Sequence, residues 1–155
     1  MAEGIVQAVA AAGKFDLKNV VMAETYPPRA REMAKRYGVK TVSDAVDVAA
    51  CANAIFLAVK PQDVAALAAR VKPMLTSKTL VVSIVAGKSL STLRKMFGAK
   101  VRLVRVMPNL ALRAKEGMCA ICPAKNATKA DVRLVSSILD AAGQTVVLKE
   151  RDFDA

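Results

Sequence analysis

The sequence predicts an α/β fold, a doubly wound and mainly parallel sheet covered by helices on both faces. Three observations predict it. Short apolar runs rich in Val, Ile and Leu alternate along the chain with helical segments, the order that builds parallel sheets. Three of these runs end in polar or turn-forming loops, at Leu57-Ala58-Val59-Lys60-Pro61-Gln62, Ser83-Ile84-Val85-Ala86-Gly87 and Arg105-Val106-Met107-Pro108-Asn109. Finally, 155 residues with 54% apolar and 4% aromatic composition suffice for one ordinary domain with an Ala/Val/Leu core. Sheets of this kind bind ligands beyond the carboxyl ends of their strands.

Taken in order, Ile5, Val6 and Val9 recur at helical spacing within Met1–Ala12, and Gly13 is a natural stop. Val20–Ala23 reads as a short strand ending at Glu24. Pro27-Pro28 then opens a helix through Tyr37, because proline fits a first helical turn, and Gly38 terminates it. Thr41-Val42 reads as a brief strand before a helix over Ala45–Ala52, capped by Ser43 or Asp44. The continuous apolar run Ala54–Val59 suits a strand buried on both faces. Asp63 is the expected cap of a helix reaching Val71, which Lys72-Pro73 ends. Thr79–Ile84 is a further buried strand, and Ser89 is the expected cap for a helix over Leu90–Phe97. Val101–Val106 and Met118–Ile121 read as strands, Thr128 caps a helix to Ala142, and Thr145–Leu148 closes the series. The chain shows no internal repeat, low-complexity tract or linker.

Composition argues against several classes of function. The formal charge of +11 suits an anionic partner, yet Lys and Arg are scattered and no aromatic residues interleave with them. A solvated basic surface, or attraction for a dinucleotide phosphate, fits better than nucleic-acid binding. No apolar run approaches the ~18–20 residues that cross a bilayer; the longest, around Val48–Val59, is broken by Asn53. Glu3 stands where a signal peptide carries positive charge, so the opening reads as a helix and the expected location is the cytoplasm, with no membrane partner. Cys119 and Cys122 have C-x-x-C spacing, but lie in a strand-like run with no second pair, and the chain has no histidine. Neither a metal site nor a redox motif is expected. Cys51 reads as a small core residue on a helix.

The three strand-end motifs, with Met1-Ala2-Glu3-Gly4 and Glu116-Gly117-Met118, resemble the nucleotide-binding domain of pyrroline-5-carboxylate reductase, nearly end to end. The most specific parts are LAVKPQ at 57–62 and RVMPN at 105–109; SIVAG at 83–87 is moderately specific. The resemblance implies a Rossmann-like fold over residues 1–155, incomplete at its N-terminus. Members of the family begin with a strand and a G-x-G-N-M-A turn, of which Met1 and Ala2 match only the last two residues. The preceding strand would pair between the strands at 20–24 and 54–59, so both are expected to show an unpaired edge. The family's C-terminal helical domain, which carries dimer contacts and the usual catalytic hydroxyl, would begin beyond Glu150–Ala155. The chain also departs from the family pattern at Ala45 and at Leu110-Ala111.

On this resemblance the cofactor is NADP(H) or NAD(H), and the contacts fall on Ala2, Glu24, Ala58, Val59, Lys60, Pro61, Ala86, Gly87 and Asn109. Ala2, Glu3 and Gly4 supply helix-start N–H groups for the pyrophosphate. Ala58–Pro61 would line the cofactor between its phosphates and nicotinamide ribose, and Ala86-Gly87 would let backbone approach the nicotinamide or the substrate carboxylate. The Asn109 amide would face the nicotinamide carboxamide. The plainer alternatives are a solvated Lys60 before a turn-forming proline, and ordinary turns at Gly87 and Asn109. Glu24 stands about twenty residues past the glycine-turn position, where an acidic side chain bonds the adenosine ribose and disfavours a 2′-phosphate. Arg29 and Arg31 are close enough in sequence to contact a 2′-phosphate instead, or to make surface salt bridges, and the family commonly uses NADPH. The preference stays open.

The implied activity is hydride transfer from NAD(P)H to the cyclic imine 1-pyrroline-5-carboxylate, giving L-proline. No residue is assigned as acid or base, so the catalytic set is empty. The isolated chain is expected to be inactive, to bind dinucleotide weakly and to be poorly soluble; homo-oligomers are expected only for a full-length form. The alternatives are a non-catalytic dinucleotide-binding module, or a Rossmann reductase of the β-hydroxyacid dehydrogenase or deazaflavin-dependent type.

Overall fold

A computed structural model describes residues 2–108, 117–141 and 143–153. Among the described residues six α-helices and seven strands follow one another: α1 (Ala2–Ala12), β1 (Val21–Ala23), α2 (Pro27–Tyr37), β2 (Lys40–Val42), α3 (Ala45–Cys51), β3 (Ala54–Leu57), α4 (Val64–Val71), β4 (Leu80–Ser83), α5 (Leu90–Phe97), β5 (Arg102–Pro108), β6 (Gly117–Pro123), α6 (Lys129–Leu139) and β7 (Gly143–Val147). The α/β class and the mainly parallel pairing agree with the sequence. Four of the strand pairs are parallel; β5 and β6 run antiparallel.

Local chemistry sets most boundaries. Pro27 and Pro28 occupy the first turn of α2, and Gly38 closes it in the left-handed region at φ 70°. Asp44, Ser89 and Thr128 accept from backbone N–H groups of the first turns of α3, α5 and α6. Asp131 returns the favour at Thr128, forming a reciprocal capping box. Asp63 differs from expectation. Its backbone is already helical and its side chain caps nothing, because its own N–H closes a turn onto the Lys60 carbonyl at 3.0 Å. The last helix also stops at Leu139, short of the expected Ala142, a residue outside those described.

The sheet is in two pieces, β1-β2 and β3-β4-β5-β6-β7. Alternate residues of a parallel strand bond a given neighbour. Leu80 N–H donates to the Asn53 carbonyl and Ile84 N–H to that of Leu57, so the backbone of Ala54, Phe56 and Ala58 faces away from β4. Lys40 N–H donates to Val20 and Glu24 N–H to Val42, so Val21 and Ala23 face away from β2. Among the described residues no strand pairs with either edge, as the resemblance implied. β3 is therefore an edge strand, and Ala54, Ile55 and Phe56 are only half-buried. The expectation of a strand covered on both faces belongs instead to β4, all four of whose residues are buried.

The strand pleat sends alternate side chains to opposite faces. Leu80, Val82, Val104 and Val106 meet Ile5, Ala8 and Val9 of α1 and Val135, Ile138 and Leu139 of α6. Val81 and Leu103 meet Ala68 of α4 and Leu93 and Phe97 of α5 on the other face. Each such fully buried Val or Leu contributes roughly 1.5–3 kcal/mol relative to exposure. Cys119 and Cys122 are buried and unbridged; Cys51 is free and exposed, not a core residue. It sits in the last turn of α3, where its thiol reaches the carbonyls of Asp47 and Val48 on its own helix.

Candidate functional site

Parallel register aligns the ends of β3 and β4. Leu57, the last residue of β3, lies beside Ser83, the last of β4, so the segments that follow these two strands leave from one rim, while the neighbouring β5 pairs Arg105 with Ser83 and runs on to Pro108. At that rim Ala58 is half-buried, while Val59, Lys60, Pro61, Ala86 and Gly87 are exposed. The two loops are tied together, since Ile84 N–H donates to the Leu57 carbonyl at 3.3 Å. The buried Ser83 hydroxyl accepts from Val85 N–H, also at 3.3 Å, and holds the second loop from inside. Gly87 has φ 69°, and a Cβ there would meet nothing within 4 Å. The position needs glycine for its backbone, and leaves open space beside it. Asn109 lies outside the described residues.

Ala2 opens α1, whose first N–H groups have no partner within the helix. Beside it, the Glu3 carboxylate is gathered by three donors: Arg29 Nη2 at 2.6 Å, Arg36 Nη1 at 2.8 Å and Tyr37 Oη at 3.0 Å. The Arg29 hydrogen bond, then that of Tyr37, holds the Glu3 carboxyl below its usual range. Burial, followed by the bond to Glu3, pushes the Tyr37 phenol up. Arg29 also reaches Glu32 through Nη1 at 2.7 Å, and its guanidinium is held more firmly charged by both carboxylates.

Glu24 lies in a cleft of about 240 Å³ lined by Glu24, Tyr26, Pro28, Arg29 and Glu32, none of them a rim-loop residue. Its Oε1 accepts from Tyr26 N–H at 3.0 Å, which orients the carboxylate. Thus positions 58–61 and 86–87 come together at one rim, whereas Glu24 shares its cleft with Arg29, which pairs with Glu3, the neighbour of Ala2. Arg31 is exposed and does not line the cleft. The Arg29–Glu32 spacing of i,i+3 was legible on a helix; Glu3 was not, because its partners lie 26 to 34 residues away. Among the described residues no cluster of His, Cys, Asp and Glu could hold a metal ion, and no helix is long and apolar enough to cross a membrane.

Residues 1–87 match the family described as "NADP oxidoreductase coenzyme F420-dependent", and the chain belongs to that family. Its similarity runs further, over the whole chain, to pyrroline-5-carboxylate reductases. That of Methanosarcina acetivorans is 32% identical over 155 residues, covering 100% of this chain and 57% of the relative. A pyrroline-5-carboxylate reductase structure from Coxiella burnetii superposes with a TM-score of 0.91 at 25% identity, over 97% of this chain and 56% of that one. A Plasmodium falciparum pyrroline carboxylate reductase with NADP bound gives 0.86 at 26% identity, over 98% and 55%. The chain thus spans little more than half the length of these relatives, and the resemblance carried by LAVKPQ and RVMPN is the one these comparisons find.

Proposed function

We propose that residues 1–155 form the NAD(P)-binding domain of a cytoplasmic pyrroline-5-carboxylate reductase, which reduces the C=N bond of 1-pyrroline-5-carboxylate to give L-proline. The supporting observation is the shared rim of β3 and β4, with Val59–Pro61 and Ala86-Gly87 exposed beside half-buried Ala58. The relative from Plasmodium falciparum, with NADP bound, adds the cofactor class. Similarity along all 155 residues favours this substrate over that of a deazaflavin-dependent reductase, since the family match covers residues 1–87 alone.

The residues present fit a dinucleotide. Small side chains at Ala58, Ala86 and Gly87 let backbone approach a phosphate or a ribose closely, and Lys60 offers a cation beside them. The start of α1 at Ala2 offers unpaired N–H groups for a pyrophosphate, and Glu24 offers acceptors for a ribose. When bound, a reduced nicotinamide supplies the hydride. The chain's own part is to bind, orient and exclude water, with Asn109 proposed to hold the carboxamide. Homo-oligomers are proposed for a full-length form.

Two measurements test this. Titration with NADH and NADPH should give saturable binding in the millimolar to high-micromolar range; none at millimolar concentration would contradict the cofactor. The gene read in its genomic frame should restore growth of a proline auxotroph, and failure with the protein present would contradict the substrate.

A further inference from the structure

The cleft at the end of β1 carries a charge arrangement that bears on which dinucleotide is taken. It holds two carboxylates, Glu24 and Glu32, against one guanidinium, Arg29. That guanidinium is committed: Nη2 lies 2.6 Å from Glu3 and Nη1 lies 2.7 Å from Glu32. A phosphate dianion entering here would have to displace one of two carboxylates from Arg29, and would meet Glu24 at the same time. A ribose diol meets no such cost, because ionised Glu24 is an acceptor only and a hydroxyl pair supplies donors. Glu24 is also held in place by Tyr26 N–H at 3.0 Å.

We propose that this cleft selects an adenosine ribose without a 2′-phosphate, so that NADH is preferred to NADPH, and that Glu3 and Glu32 set the selection by keeping Arg29 in ion pairs. The proposal rests on the dinucleotide reading above. Glu32 is the adjustable half of the clamp, since its side chain is 51% exposed against 18% for Glu3.

The test is equilibrium binding of NADH, NADPH, 5′-AMP and adenosine 2′,5′-bisphosphate to the full chain and to Glu32→Gln, Glu3→Gln and Glu24→Ser. The unsubstituted chain should favour NADH over NADPH, and AMP over the bisphosphate, by about tenfold or more. Glu32→Gln should raise affinity for the two 2′-phosphorylated ligands severalfold relative to NADH and AMP. Glu24→Ser should narrow or reverse the preference. Glu3→Gln should act in the same direction where circular dichroism shows it folded, and Glu32→Gln, at an exposed position, carries the test where it does not. Preference of the unsubstituted chain for NADPH, or a ratio that Glu32→Gln leaves unmoved, would overturn the proposal while the dinucleotide reading stands. Absence of binding by all four ligands would overturn both.

Discussion

The guanidinium of Arg105, in the middle of β5, lies 4.9 Å over the ring of Phe153 near the end of the chain. Glu150 approaches the same guanidinium at 3.5 Å and accepts the N–H of Leu90 at the start of α5. The final turn is thereby fastened to the sheet just below the candidate rim. Arg105 is buried, where a charge needs company, and these contacts supply part of it. Phe153→Ala should cost about 3 kcal/mol in urea unfolding, the usual scale for emptying a buried aromatic site. A change below about 0.5 kcal/mol would mean that the end of the chain is not docked.

A second charge pair, with its carboxylate buried and its guanidinium half-buried, fixes α6. Arg102 Nη1 lies 2.6 Å from Asp131 Oδ1, while the other carboxylate oxygen completes the capping box with Thr128. Asp131→Ala removes both roles and should destabilise by about 3 kcal/mol; Arg102 keeps some solvent, which puts the loss at the low end for a broken buried pair. Thr128→Ala, which removes only the cap, should cost about 1 kcal/mol by the same measurement.

Glu3 makes stability depend on pH with a definite sign. Its folded carboxyl titrates below its unfolded value, chiefly through the hydrogen bond from Arg29. Its contribution is therefore complete above the ordinary carboxylate range and is lost as pH falls through the lowered folded value. Urea midpoints followed downward from neutral pH should fall more steeply for the unsubstituted chain than for Glu3→Gln. Parallel curves would show that the cluster at Glu3 is not formed in solution.

The thiols should differ in reactivity. Cys51 is exposed, whereas Cys119 and Cys122 are buried, and burial followed by the nearby charge of Glu150 pushes the Cys122 thiol up against the opposing effect of Arg105. Native alkylation at neutral pH should label Cys51 first, with the other two following only on unfolding. Early labelling of Cys122 would indicate that the Glu150–Phe153 turn opens readily.

Gly87 is held at φ 69° with open space beside it. Gly87→Ala should cost about 1 kcal/mol of stability from backbone strain, measured by thermal or urea unfolding. A neutral substitution would show that the loop relaxes out of the left-handed region.

Much of the fold was legible because its signals are local. Pro27-Pro28 and Gly38 mark both ends of α2, and Ser89 and Thr128 mark the starts of α5 and α6. Asp63 misled because a cap depends on backbone conformation as well as residue type, and the turn from Lys60 makes this one helical. Cys51 misled because an apolar helix face near an edge strand need not be covered at its last turn. At the site, the rim loops could be read from strand order, since parallel neighbours must end on the same side. The Glu3–Arg29–Glu32 clamp could not be read in full, because it joins two helices whose packing only the folded chain determines. Arg105 stands inside an apolar run, and the ring of Phe153 and carboxylate of Glu150 beside it come from some 45 residues further along the chain.

The central claim is that the segments after β3 and β4 meet one dinucleotide. Amide chemical shifts of the full chain during titration with NADH test it most directly. Perturbations should concentrate at Ala58, Val59, Lys60, Ala86 and Gly87, with a second group at Ala2–Gly4 and Glu24. Saturable shifts confined to other surfaces, or none at these residues at millimolar NADH, would contradict it.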